Sequence, residues 1–197
     1  MQRPKKVQKL AANELFDYSV KLLASRAYSS GELRAKLRLK AERAEDVDAT
    51  IVRLKDLNYL DDARFAESFA SARVENGGFG RMRVLSDLRA RRVSSNLADR
   101  AVSTVFAGRE ESDLIDAFIA RRLPGLAAAV ADAKEEDRAA ADRKLASAYR
   151  RLRRAGFSSG GILTALKRLG APPEVEELAA SEEQPADEEP RKDNPES

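Results

Sequence analysis

One spacing occurs three times along this chain. An aromatic residue is followed by an aliphatic residue five positions later and by leucine nine positions later. The instances are Tyr28–Leu33–Leu37, Phe79–Val84–Leu88 and Phe157–Ile162–Leu166. The aliphatic-to-leucine step of four is one helical turn, so each instance sets two apolar side chains on one helical face. The aromatic stands just ahead of that helix, at a turn marked by Ser29-Ser30, Gly80 or Ser158-Ser159. A small helical unit used three times predicts an all-α chain of tandem three-helix, helix-turn-helix-like repeats.

The segments around each instance fill in the plan. In the first unit, residues 11–60, Leu15, Tyr18, Leu22 and Leu23 recur at helical spacing. Ser30 is placed to cap a second helix with Leu33, Leu37 and Leu39 inward. Val47, Ile51, Leu54 and Leu57 mark a third helix. The second unit, residues 61–107, opens with Asp61 or Asp62 as a cap, buries Phe65 and Phe69, and ends its first helix at Gly77-Gly78. Its third helix carries Leu97, Ala101, Val102 and Val105. The third unit, residues 108–179, carries an extra helix from about Glu110 to Arg122 and an alanine-rich stretch to Ala133. A long helix from about Glu136 to Ala155 follows, and a last one starts at Pro172-Pro173 with Val175 and Leu178 inward.

Charge divides the chain unevenly. Residues 171–197 hold ten acidic and two basic residues, a net of −8, which leaves residues 1–170 with 34 basic and 23 acidic, a net of +11. A basic body points to an acidic partner, nucleic acid or protein. Residues 1–10 form a basic extension. Beyond residue 180 no aliphatic side chain is larger than alanine, so an acidic disordered tail is expected over 180–197.

The chain has no Cys and no His, which removes the commonest metal ligands and nucleophile–base pairs. Gly77-Gly78-Phe79-Gly80 follows a helix and lacks the Lys-Ser/Thr of a phosphate loop. Asp61 and Asp62 are adjacent on a helix and do not face each other. We therefore expect no enzyme, no catalytic residue, no metal and no cofactor. No apolar run approaches the roughly 18 residues that span a bilayer, and no signal peptide is evident.

What remains is basic. Arg34, Lys36, Arg38 and Lys40 lie on the second helix of the first unit. Arg81, Arg83, Arg89, Arg91 and Arg92 occupy the matching stretch of the second. Arg150, Arg151, Arg153, Arg154, Lys167 and Arg168 flank or fill it in the third. Cations repeated around one helix type suit a long polyanionic or acidic groove better than a compact ligand.

Several segments resemble the RecX regulatory proteins, modulators of the RecA recombinase. Tyr59-Leu60-Asp61-Asp62-Ala63-Arg64-Phe65-Ala66 looks like the signature of that family. Leu22-Leu23-Ala24-Ser25-Arg26-Ala27-Tyr28-Ser29 with Glu32-Leu33-Arg34-Ala35-Lys36-Leu37 supports it. Gly78-Phe79-Gly80 and Arg153-Arg154-Ala155-Gly156-Phe157-Ser158 are similar to later repeat motifs, although Arg81 stands where the family usually has proline. The resemblance covers about residues 13–170. It implies a curved, elongated molecule that lies in the groove of the RecA–single-stranded DNA filament and inhibits ATP hydrolysis and strand exchange. It places the protein in DNA recombination, DNA repair and the SOS response, in the cytoplasm, as a monomer, with backbone contacts to single- or double-stranded DNA as an accessory mode. On this reading the cations above make the contacts, while Tyr28, Asp61, Asp62, Phe65, Phe79 and Phe157 are structural. A direct DNA-binding helix-turn-helix protein and a general helical-repeat scaffold are the competing readings.

Overall fold

The computed structural model describes residues 9–171. These are helical throughout, and their only bridge of the β type joins Leu10 to Ala41. They fall into two compact units, one up to Glu110 and one from Glu111 onward. The expected basic extension up to residue 8, the last helix at Pro172-Pro173 and the acidic tail lie outside the described residues.

The first unit holds two three-helix groups. In the first group, α1 (Ala12–Ser25), α2 (Ser30–Lys40) and α3 (Ala44–Asp56) pack on one another. Leu15, Leu33, Leu37, Val47, Ile51 and Leu54 are all almost wholly buried in its core. Leu10 closes it from the N-terminal side, its amide donating to the Lys40 carbonyl at 2.8 Å and its carbonyl accepting from Glu42. The second group repeats the arrangement with α4 (Asp62–Gly77), α5 (Arg81–Ala90) and α6 (Ser95–Phe106). Its core takes Phe65, Ala66, Ala70, Val74, Val84, Leu88, Ala98, Ala101, Val102 and Phe106.

The second unit contains α7 (Glu111–Arg122), the short α8 (Leu126–Ala131), α9 (Arg138–Ala155) and α10 (Ser159–Arg168). The alanine-rich stretch thus becomes a one-and-a-half-turn helix packed on α9, while α7 and α9 both pack on α10. Phe157, fully buried, meets Phe118 of α7 edge to face at 5.7 Å between ring centroids.

The triple spacing reports the core faithfully: Leu33, Leu37, Val84, Leu88, Ile162 and Leu166 are all 0% exposed. The aromatic ahead of them is less uniform. Tyr28 and Phe157 are buried, whereas Phe79 is half-buried with the Arg73 and Arg83 guanidinium groups over its ring at 4.4 and 5.7 Å.

Three expectations need correction. Leu39 is 72% exposed, because it lies about 200° round the helix from Leu37 and points away from the core. Leu57 is not inside α3 but caps its end, half-exposed. Ser29, not Ser30, caps α2: its hydroxyl oxygen accepts from the Glu32 amide at 3.0 Å, while its hydroxyl donates to the Arg91 carbonyl. The buried hydroxyl of Ser30 has no hydrogen-bond partner.

The two serines therefore behave oppositely on substitution. Ser29→Ala is expected to cost about 1–2 kcal/mol through the lost cap, and Ser30→Ala to be neutral or slightly stabilising, because it removes an unsatisfied buried hydroxyl. Chemical denaturation of the two single variants checks this; equal losses would contradict the assignment of the cap.

Candidate functional site

Within the first unit, the two three-helix groups meet at helix ends rather than along helix faces. The N-terminus of α2 abuts the C-terminus of α5 and the start of α4. Asp61 begins α4, its carboxylate accepting from the Ala63 and Arg64 amides at 2.9 and 3.0 Å. Asp62, the next residue, reaches back instead. One of its carboxylate oxygens accepts from the Ser30 amide at 2.6 Å and the other pairs with Lys55 at 3.3 Å. An anion placed on a free helix-terminal amide is a favourable arrangement. The second unit repeats the device: Glu111, first residue of α7, accepts from the Ser158 amide at 2.8 Å where α10 begins. Ser158 itself caps α10 by accepting from the Gly161 amide.

Glu32 is the electrostatic centre of this seam. Arg26 of the first group approaches it at 3.3 Å and Arg91 of the second at 3.0 Å. Burial pushes the Glu32 carboxyl up, but hydrogen bonds and charge from Arg26 and Arg91 outweigh it, so the group titrates below its ordinary value. The same Glu32 bond holds the Arg26 guanidinium above its own ordinary value. Gly31 lies so close to Arg92 that a Cβ there would stand 2.6 Å from the Arg92 Cβ. Arg92 takes the left-handed conformation, φ 57°, as the residue after the α5 cap. Its amide donates to the Arg89 carbonyl, and that of Val93 to Leu88.

Beside the seam runs an open groove of about 520 Å³ whose lining includes Arg26, Tyr28, Tyr59, Arg64, Phe69 and Arg91. Between α3 and α4 the chain turns at Asn58, left-handed at φ 57°, and the Tyr59 amide donates back to the Leu54 carbonyl at 2.9 Å. Leu60 is buried in the first core, while Tyr59 is 57% exposed. A second, smaller hollow of about 390 Å³, with Phe16, Val20, Arg53 and Leu57 in its wall, shares Tyr59 with the first.

The cations singled out from the sequence divide by what they touch. Arg34 pairs with Asp48, Arg83 with Asp87, and Arg168 with Asp116. Arg151 and Arg153 donate to the Arg122 and Phe157 carbonyls. Arg81 lies over the Phe106 ring at 5.2 Å and Lys36 over Tyr28 at 5.9 Å. Arg91 belongs to the seam, and Lys167 stays on the exposed side of α10. Arg38, Arg89, Arg92, Arg150 and Arg154 are exposed, and Lys40 partly so. Residue spacing did not reveal Gly31, Glu32, Glu111 or the exposure of Tyr59. Arg91, which joins Glu32 to the second group, and Ser158, which binds Glu111, lie 59 and 47 positions from them, which no local pattern reports.

Among the described residues no three His, Cys, Asp or Glu gather as a metal would require, and no helix is long and apolar enough to cross a membrane. The fold and the seam define a tandem three-helix repeat protein. Residues 16–54 match the family model described as the first three-helix domain of RecX, and residues 61–102 the one described as its second. The chain is 32% identical to the regulatory protein RecX of Trichlorobacter lovleyi over 122 residues, 62% of this chain and 79% of that one. It is 30% identical to that of Deinococcus radiodurans over 166 residues, 83% and 73% of the two chains. The crystal structure of RecX from Lactobacillus salivarius superposes with a TM-score of 0.63 at 17% identity, over 81% of this chain and 96% of that one, a likeness of fold. The chain belongs to the RecX family of regulatory proteins.

Proposed function

We propose that this protein is a non-enzymatic regulator that binds the filament formed by RecA on single-stranded DNA and inhibits its ATP hydrolysis and strand exchange. Membership of the RecX family carries the reading. The basic body supports it, since cations distributed over successive helical groups suit a repeating acidic surface. The contacts are assigned to the exposed members of the cation set, Arg38, Arg89, Arg92, Arg150 and Arg154, together with Lys36 and Lys40. Arg91 is set apart from them because its guanidinium is engaged by Glu32. On this reading the protein acts as a cytoplasmic monomer in recombination, repair and the SOS response, with DNA contacts confined to the backbone.

Titrating the protein into single-stranded-DNA-dependent ATP hydrolysis by the cognate RecA tests this. Hydrolysis is expected to fall at well below one molecule per RecA protomer. The double variant Arg89→Glu/Arg92→Glu is expected to require several times more protein for the same effect, in line with rim charges that act chiefly through association. Undiminished hydrolysis on intact filaments would overturn the proposal.

A further inference from the structure

We propose that the groove beside the seam docks an acidic segment of a partner protein that carries a large apolar side chain, with Tyr59 as the anchor and Arg64 as the carboxylate contact. This deepens the filament reading and rests on it for the source of that segment. Tyr59 is a large aromatic left 57% exposed between two adjoining hollows, beside a neighbour, Leu60, that is buried. Exposed aromatics flanked by arginine are the side chains on which protein interfaces concentrate their binding energy.

Charge selects the occupant. Three arginines line the first hollow against one acid, Asp61, one oxygen of which takes both amides that start α4. In the second hollow Arg53, stacked over Phe16 at 3.9 Å, and Lys21 add two cations against one further acid, Asp17. Arg26 and Arg91 share Glu32, which leaves Arg64, exposed and without an ion pair among the described residues, to meet an incoming carboxylate.

A single-stranded nucleic acid fits less well. Successive stacked bases need several open aromatic faces, and of the groove's aromatics Tyr59 alone is largely exposed: the Tyr28 ring is covered by the Arg26 guanidinium at 3.5 Å and Phe69 faces that of Arg91 at 5.4 Å. A phosphate chain also needs several unpaired cations in a row, and in the hollow beside the seam Arg64 is the one cation without an ion pair among the described residues. An apolar side chain seated against Tyr59, with a carboxylate on Arg64, uses what is there.

The test compares the full chain with Tyr59→Ala and Arg64→Glu, both at exposed positions, after denaturation confirms unchanged stability. In RecA-filament ATP hydrolysis, each variant is expected to need about ten times more protein for half-inhibition, and Arg64→Lys less than that. If the wild-type chain inhibits and both variants match it, the groove assignment is wrong while the filament reading stands. Failure of the wild-type chain to inhibit removes the filament reading instead. The groove is then judged by fluorescence anisotropy with a labelled peptide of glutamates flanking one phenylalanine. Saturable binding weakened about tenfold by both variants supports it. Absence of binding, binding indifferent to both variants, or displacement by an oligothymidylate overturns it.

Discussion

Gly31→Val is expected to cost about 3 kcal/mol and to loosen the junction between the first two three-helix groups. The glycine faces the end of α5, where Arg92 sits in a left-handed turn, and an added Cβ would meet the Arg92 backbone as well as its Cβ at 2.6 Å. Neither neighbour is the free end of a side chain, so relief requires moving one helix end away from the other. That displacement strains the contacts gathered there: Asp62 on the Ser30 amide, Ser29 on the Arg91 carbonyl, and Glu32 on Arg91. Alanine at the same position gains up to about 1 kcal/mol of helix propensity over glycine, which offsets part of the overlap, so Gly31→Ala should be milder. Denaturation midpoints order the three proteins, and faster amide exchange at Arg91 and Val93 localises the effect. An unchanged midpoint for the valine variant would mean that the junction is not tightly packed.

Phe157→Ala should be the most damaging single truncation in the second unit, at about 3–5 kcal/mol. The ring is fully buried and meets Phe118 edge to face, a geometry that contributes about 0.5–1.5 kcal/mol beyond its area. The equivalent residue of the preceding repeat, Phe79, is half-buried beneath the guanidinium groups of Arg73 and Arg83, and Arg73 also pairs with Asp87. Phe79→Ala is therefore expected to cost clearly less, about half as much, since a partly exposed ring leaves a smaller cavity. Amide exchange should show the Phe157 loss in α7, α9 and α10 and the Phe79 loss in α4 to α6. Equal costs for the two variants would show that the repeats bury their aromatics alike, against the geometry described above.

These residues also show what sequence pattern conveys and where it stops. A four-residue step fixes a helical face by geometry alone, so the six aliphatic positions after the three aromatics were legible without any partner. The same geometry, applied strictly, excludes Leu39 from that face. The capping serine was ambiguous because Ser29 and Ser30 are chemically alike. The choice is made by tertiary contacts, the Arg91 carbonyl at Ser29 and the Asp62 carboxylate at the Ser30 amide. The exposure of Tyr59 had no local signal, since it is set by the left-handed turn at Asn58 that closes α3 and not by strand-like alternation. The division of the cations had none. An arginine engaged by a distant carboxylate and one facing solvent read identically in sequence.

The first two groups cannot be separated by a cut. Leu60 completes one core, and Asp61, the residue that follows it, starts the next helix. A fragment ending at Leu60 loses the acceptor for the Ser30 amide and one of the two guanidinium partners of Glu32. A fragment beginning at Asp61 loses the carboxylate that engages Arg91. Deletion series that remove either group by itself will confound loss of contact with loss of fold, so for these two groups residues 10–106, with Leu10 kept, are the smallest piece on which partner binding can be mapped.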